Sequence, residues 1–206
     1  YGSYIANPNN PQPMPWVSHK NSVRDDFYQT GLTTDNSVSF AGGTDSASYR
    51  FSMGLTDAQG IVYNTNLRKY NIGGNVDFDL SDKWSVGFNI RYIRSNSDQR
   101  NGVGYGETAN QVGQLVWGAR QVDWSILKDW RNLPQVNMVN SGDPRLTPIN
   151  WNTAYNNNPF WALDNNLHPW ERNRFMGGAN IGYEINDKLR LDMQTGIDYF
   201  DDMQET

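Results

Sequence analysis

A pattern of alternating apolar and polar residues occurs twice in this chain, and it constrains the fold more than any other feature. Residues 70–92 are YNIGGNVDFDLSDKWSVGFNIRY, and residues 175–197 are FMGGANIGYEINDKLRLDMQTGI. In each copy, two alternating runs flank a short polar turn that contains Asp-Lys. A period of two places every second side chain on the same face of a β-strand. Each copy therefore predicts a long antiparallel β-hairpin.

The two faces of each predicted hairpin differ in polarity. In the first copy Val76 and Phe78 share one face, whereas Asp77 lies on the other. The runs are longer than the five or six residues of a typical globular strand. Tyr70 and Tyr92 lie near the ends of the apolar stripes, where amphipathic rings would meet a membrane interface. Length and polarity together favour a transmembrane barrel, although the strands of a soluble β-sandwich also alternate.

The lengths of the connections give a second argument for a barrel. A third hairpin is predicted around the turn at 42–46, which gives six alternating runs in total. The turns inside the three hairpins are short and the other connections are long, as in outer-membrane barrels with short periplasmic turns and long extracellular loops. The predicted division is an extracellular loop (1–34), barrel strands in two hairpins (35–95), a long extracellular loop with local helix near 122–130 (96–171), and a barrel hairpin (172–206). The expected fold class is all-β: an antiparallel transmembrane β-barrel segment of about six strands in three hairpins.

Composition excludes several classes of protein. The 206 residues include no cysteine, so neither a disulfide framework nor a thiolate metal site is expected. A net charge of −5 argues against binding to nucleic acid. No stretch approaches the roughly 20 apolar residues of a transmembrane helix. The chain starts at Tyr1 without an initiator methionine or a signal peptide, which predicts an internal fragment of a longer protein.

Six tryptophans between residues 117 and 170 are the candidate site for a substrate or a partner protein. They are Trp117, Trp124, Trp130, Trp151, Trp161 and Trp170. A flat apolar ring can stack on a sugar, and it can equally contact another protein. Alternatively, the rings pack inside the loop, because a long ordered loop must bury aromatic side chains to offset its loss of conformational entropy. Both interpretations stay open.

No arrangement of residues indicates catalysis or metal binding. His19 and His168 lie far apart without a partner at ligand spacing, so no metal site is predicted. No nucleophile, base and acid form a recognisable set, so we expect no catalytic residue, no cofactor and no enzymatic activity. Charged residues of mixed sign on the polar faces favour a wet lumen wall that contacts a plug over a substrate site. They are Arg50, Lys69, Asp77, Asp79, Arg91, Glu184, Arg190, Asp192 and Asp198.

The run from Asp25 to Arg94 resembles the SusC/RagA family of TonB-dependent outer-membrane transporters. DDFYQTG and the run from NSVSFAGG to SVGFNI carry the resemblance, and a weaker match covers NPFWALDN and ERNRFMGGANIGYEINDKLRLDMQTGIDYF. The resemblance implies a large barrel with a plug domain in the outer membrane of a Gram-negative, Bacteroidota-like cell, in contact with its lipid. It implies import of oligosaccharides or peptides, with a SusD-like surface lipoprotein as a lid. It also implies energy from TonB, transmitted through parts that this chain does not contain.

Two other function classes stay open. One is a soluble carbohydrate-binding or adhesin-like β domain, in which the apolar stripes would form the core of a sandwich. The other is a passive porin without a lid or energy coupling. A soluble domain would need no detergent, and the full-length gene of a porin would encode no plug.

Overall fold

Six long strands form one antiparallel sheet in the order β1-β2-β3-β4-β7-β8. The computed structural model describes residues 17–102, 111–137, 145–151 and 156–205, so parts of the two predicted long loops (1–34 and 96–171) lie outside the described residues. The strands are β1 (Leu32–Thr44), β2 (Ala47–Gln59), β3 (Asn66–Ser81), β4 (Trp84–Ser97), β7 (Trp170–Asn186) and β8 (Leu189–Gln204). The prediction of six strands in three antiparallel hairpins is confirmed. Across the described residues the sheet is open, with β1 and β8 at its edges.

Short elements occupy the long connection between β4 and β7. They are α1 (Gly113–Trp117), α2 (Trp124–Lys128), a 3₁₀ turn (Trp130–Asn132), the paired strands β5 (Gln135–Val136) and β6 (Thr147–Pro148), and α3 (Pro159–Asn165). A π-helical turn, Val23–Phe27, precedes β1. The helix expected near 122–130 is α2. Within the described ranges, each helix is too short or too polar to cross a bilayer.

The register places most of the apolar residues of the six strands on one face of the sheet. Tyr49 lies opposite Val76, which lies opposite Phe88. The same row continues from Phe88 to Ala179 and on to Thr195. We call this side the apolar face. The opposite side is the polar face, and there Arg50, Asn75, Asn89, Gly178 and Gly196 form the equivalent run of neighbouring positions.

The strands extend beyond the predicted barrel residues at the end where the long loops lie. β1 begins at Leu32, β4 ends at Ser97 and β7 begins at Trp170. A strand of 17 residues such as β7 is roughly 55 Å long at about 3.3 Å per residue. This length exceeds the apolar band of an outer membrane, about 25 Å tall, even after tilting. Backbone pairing therefore continues outside the band.

The hydrophobic core lies outside the sheet. Seven buried hydrophobic residues pack together, and we call them the loop core: Phe27, Val62, Val122, Trp124, Leu127, Phe160 and Leu163. They come from the segment before β1, the β2–β3 connection and the β4–β7 connection. None of the buried hydrophobic residues in the described ranges belongs to the six long strands. The chain thus folds as an open-faced sheet with a packed cluster of loops at one end.

Candidate functional site

Phe27 is the central ring of the loop core. Its ring centroid lies 5.8 Å from that of Trp124 and 5.5 Å from that of Phe160, in edge-to-face geometry. Tyr28 adds a third edge-to-face contact at 5.3 Å. Such pairs contribute about 0.5–1.5 kcal/mol each beyond the burial of area. The segment before β1 is therefore held against the β4–β7 connection by aromatic packing.

Ser22 adds a polar link between the same two segments. Its hydroxyl accepts a hydrogen bond from the backbone N–H of Trp124 at 2.8 Å and donates one to the carboxylate of Asp26 at 2.7 Å. The N–H of Trp124 lies at the first position of α2, where a helix leaves its backbone donors unpaired. A residue 102 positions away thus satisfies a buried donor at the start of α2.

Asn158 connects α3 to two other parts of the long loop. It is the N-cap of α3, and its side-chain oxygen accepts hydrogen bonds from the N–H groups of Phe160 and Trp161 at 3.0 and 3.2 Å. Its Nδ2 donates to the carbonyl oxygens of Leu127 and Ile149 at 2.9 and 3.3 Å. Proline follows Asn158 at the first helical position, where its missing N–H costs nothing. The sequence Asn-Pro thus starts α3 and positions it.

Asp164 joins the β2–β3 connection to the long loop. Its Oδ2 accepts from Trp130 Nε1 at 3.0 Å, from an Arg131 guanidinium nitrogen at 3.2 Å and from the Tyr63 hydroxyl at 3.4 Å. The Arg131 guanidinium also lies 4.2 Å from the ring centroid of Trp130. Partial burial, and then the charge of Asp164, raise the pKa of the Tyr63 hydroxyl. Three side chains from two connections therefore converge on one carboxylate.

The six candidate tryptophans do not form one surface. Trp124 and Trp161 are 1% and 7% exposed, and Trp130 and Trp151 pack against the loop core. Trp117 is 60% exposed, and the half-buried Trp170 begins β7. The structure thus places four of the six rings in or against the packed interior of the loops. A contact with substrate or lid stays a prediction, and Trp117 and Trp170 have the ring surface to make it.

Ion pairs cross β7 and β8 on the polar face. Arg172 pairs with Asp202, and Arg174 pairs with Asp198. Nearer the turn, Arg190 contacts Glu184 at 3.0 Å and Asp192 at 2.8 Å. Asp202 and Glu184 lie opposite their arginines in the strand register, and Asp198 lies diagonal to Arg174. Asp192 instead lies two residues from Arg190 on β8 itself. The mixed charge noted in the sequence is therefore arranged as matched pairs across this hairpin.

Phe200 is a candidate residue that the alternating pattern does not reveal. It lies opposite Arg174 on the polar face, while its neighbour Tyr199 lies opposite Phe175 on the apolar face. Two consecutive aromatic residues break the alternation, and this break is the one feature of the sequence that indicates an aromatic ring on the polar face. Deeper on the same face, a depression of about 530 Å³ is lined by polar and charged side chains. They include Arg50, Asp77, Asn89, Arg91 and Asn180.

Comparisons with known proteins give the family. TonB-dependent receptor P26 of Formosa agariphila is 30% identical over 188 residues, which is 91% of this chain and 16% of that protein. TonB-dependent receptor SusC of Bacteroides thetaiotaomicron is 26% identical over 197 residues, 89% of this chain and 18% of SusC. This chain belongs to the SusC/RagA family of TonB-dependent receptors. A second Formosa agariphila protein, TonB-dependent receptor P3, is 33% identical over 95 residues, which is 43% of this chain and 10% of P3. No protein-family model matches.

A solved structure shows the same fold. A chain of the RagAB peptide transporter superposes with a TM-score of 0.55 at 18% identity, covering 88% of this chain and 19% of that chain. This SusC/RagA-family chain is therefore a segment of an antiparallel outer-membrane β-barrel. It spans less than a fifth of each of the four proteins named here. The prediction that it is not an enzyme agrees with these names, since each is that of a receptor or a transporter.

Proposed function

We propose that this chain forms part of the wall and outer rim of a TonB-dependent transporter that imports oligosaccharides or peptides beneath a SusD-like lipoprotein lid. The observation that carries the proposal is the contrast between the two faces of the sheet. The apolar face exposes rings such as Phe88 at 54%, whereas ion pairs cover part of the polar face. A barrel wall between lipid and a wet lumen has this contrast.

The apolar face has the height expected of a membrane band. At the turn end, the rings of Trp84 and Tyr183 stack at 4.4 Å. Tyr92 lies eight residues from Trp84 along β4, roughly 20 Å along the normal at about 3.3 Å per residue and a tilt near 40°. Beyond Tyr92 the same face becomes charged, with Arg94 and Glu171 at 2.8 Å. We assign the aromatic levels to the two membrane interfaces and the charged level to the outside.

A soluble sandwich explains these observations less well. Its apolar face would be covered by a second sheet, and the only other sheet in the described ranges is the two-residue pair β5–β6. Isolated apolar side chains on a protein surface are ordinary, but a continuous apolar face marks an interface with a membrane or another molecule. We therefore favour lipid as the neighbour of the apolar face, in the outer membrane of a Bacteroidota-like cell.

In this proposal, the loops at the outer end of the sheet form the surface that contacts the lid. In this proposal, 1–34 and 96–171 are extracellular, while 35–95 and 172–206 supply the barrel wall. The loop core fixes the connections to one another, so that they present a defined surface. In α1, Val116 and Trp117 are exposed, which makes them our candidates for contact with the lid. TonB and the plug act through other parts of the full-length protein.

Uptake by cells tests the transport proposal. The full-length protein is expressed in a strain that lacks it, and uptake of labelled oligosaccharides and of labelled peptides is measured with and without a functional TonB system. We expect uptake of one of the two classes that is lost without TonB. Uptake that persists unchanged without TonB would show a passive porin. A full-length protein that remains in the soluble fraction without detergent would show a soluble β domain.

A further inference from the structure

We propose that the polar face carries a sugar-binding subsite centred on the ring of Phe200, at the outer ends of β7 and β8. This inference rests on the proposed function, because it assigns the polar face to the lumen through which the substrate passes. It names one substrate class, oligosaccharide, where the proposed function admits two. The subsite consists of Phe200 and its charged neighbours Arg172, Arg174, Asp198 and Asp202.

Phe200 presents an aromatic ring on the polar face, where its neighbours on β8 are Asp198 and Asp202. The ring is 58% exposed although it projects toward the wet side of the sheet. Leaving a large apolar side chain in water forgoes the favourable free energy of burying it. An exposed ring on a lumen wall is therefore more informative than one on the lipid side. Its exposed surface is available for an apolar part of a ligand.

Charged side chains surround this ring on β7 and β8. Arg174 lies directly opposite Phe200, and the same-face neighbours along β8 are Asp198 and Asp202. The guanidinium carbon of Arg172 lies 5.3 Å from the ring centroid. The apolar residues of this face nearby, Ile93 and Met176, lie opposite Arg174 and Asp198 rather than opposite Phe200. The ring thus has hydrogen-bonding groups around much of its rim.

These charged groups hold one another in place. Arg172 donates through Nε and a terminal nitrogen to one carboxylate oxygen of Asp202. Arg174 donates through the same two nitrogens to the two carboxylate oxygens of Asp198. A guanidinium has five N–H donors, so each arginine keeps donors for a ligand after pairing. Pairing also fixes the side chains before a ligand arrives, which reduces the entropy cost of binding. The rim therefore offers donors and acceptors at defined positions.

Trp170 extends the subsite toward the outside. Its indole Nε1 donates to the carboxylate of Asp202 at 2.6 Å, so one carboxylate holds both Trp170 and Arg172. The guanidinium carbons of Arg172 and Arg100 lie 5.6 and 5.5 Å from the indole ring. Arg100 is itself held by a hydrogen bond to Gln204 at 2.9 Å. Aromatic rings and guanidinium groups thus alternate from the rim of the loops down to Phe200.

A sugar ring matches this arrangement better than a peptide does. A pyranose has an apolar C–H surface that can lie on a phenyl ring, with hydroxyl groups around its edge that both donate and accept. The rim of Phe200 offers arginine donors and aspartate acceptors for such hydroxyls. An apolar peptide side chain would instead bring the paired charges of Arg174 and Asp198 into a drier setting without a new partner, which is unfavourable.

The test measures binding of glycans and peptides to the full-length protein. Purified protein in detergent is applied to an array of neutral and acidic oligosaccharides and to a random peptide array, and the strongest glycan is titrated. We expect Phe200→Ala to weaken glycan binding at least tenfold and Phe200→Trp to retain it. Tyr199→Ala is the matched control, because its ring lies on the apolar face one residue away, and glycan binding should not change. Heat-dependent migration on gels verifies that each variant is a folded barrel.

The outcomes separate this inference from the proposed function. Peptide binding without glycan binding overturns the sugar subsite, and so does glycan binding that Phe200→Ala leaves unchanged. In either case, TonB-dependent uptake of a labelled peptide or sugar would still support the transporter. Loss of glycan binding in Phe200→Ala but not in Tyr199→Ala supports the subsite. Replacing Arg172 with Lys should then also weaken binding of the same glycan, since lysine lacks the planar fork of donors that holds Arg172 against Asp202.

Discussion

The loop core and the sheet differ in what surrounds their hydrophobic residues. Trp124 in the loop core is 1% exposed because other residues of the same chain bury it, whereas Phe88 on the apolar face of the sheet is 54% exposed. The loop core is therefore stabilised by its own packing, like the interior of a small soluble domain. The apolar face depends on the medium around it. Hydrophobic residues of the same chain thus lie in two different environments, the packed protein interior and the medium that surrounds the sheet. Substitutions in the two regions should therefore have different effects.

The largest expected effect is a cavity in the loop core. Replacing Trp124 with Ala in the full-length protein should destabilise the folded loops by about 3–5 kcal/mol, because a buried aromatic side chain leaves a cavity. Hydrogen exchange of the backbone N–H groups in α2 and α3 measures this as lost protection. Trp117→Ala is the control, since that ring is largely exposed, and it should cost less than about 1 kcal/mol. Equal losses of protection would mean that the loop core is not the source of stability.

The next effect tests the sheet. Phe88→Arg should destabilise the inserted barrel by about 2–4 kcal/mol, because it places a charge on the lipid side near the middle of the band. Asn89→Arg, one residue along on the polar face, should be tolerated. Reversible unfolding in lipid vesicles gives both free energies. A larger loss of stability for Asn89→Arg than for Phe88→Arg would show that the two faces are assigned the wrong way round, since neighbouring residues of a strand point to opposite sides.

A smaller effect is expected from the polar anchor of α3. Asn158→Ala should cost about 1–2 kcal/mol through loss of the N-cap, and more if the carbonyls of Leu127 and Ile149 stay unpaired. Asn158→Ser is the matched variant: it keeps a neutral capping oxygen and removes the two donated hydrogen bonds. Hydrogen exchange in α3 should rank wild type, Ser and Ala from most to least protected. Equal protection in the Ser and Ala variants would show that the cap is unimportant.

The smallest expected effect is a pH dependence of the loops. Because the pKa of Tyr63 is raised in the folded protein, the unfolded loop loses this proton first as pH rises past about 10. The folded state then binds more protons than the unfolded state, so stability falls with rising pH in that range. Tyr63→Phe should remove this part of the alkaline loss, as measured by tryptophan fluorescence. An identical alkaline transition in that variant would assign the effect to another group.

The sheet was predictable from sequence because its information is local. Alternation determines which side chains share a face, and the short turns determine which strands pair, so Val76 and Phe88 could be placed on one face in advance. The loop core was not predictable in this way. Phe27, Trp124 and Phe160 meet across long stretches without regular alternation, and no spacing rule shows which tryptophans lie inside. Phe200 is an intermediate case. The strand register determines which face it lies on, but in the sequence only the pair of consecutive aromatic residues, Tyr199 and Phe200, indicates that one of them lies on the polar face.

The bond between Ser22 and Trp124 and the convergence on Asp164 have an evolutionary consequence. Three connections that would otherwise vary freely are tied to one another through side chains of each. An insertion that shifts Tyr63, or a change at Ser22, is transmitted to the long loop. Related receptors should therefore inherit these connections as a set, with changes in one accompanied by changes in the others. A chimera that exchanges the β4–β7 connection alone should fold poorly, whereas one that exchanges all three should keep the rim intact.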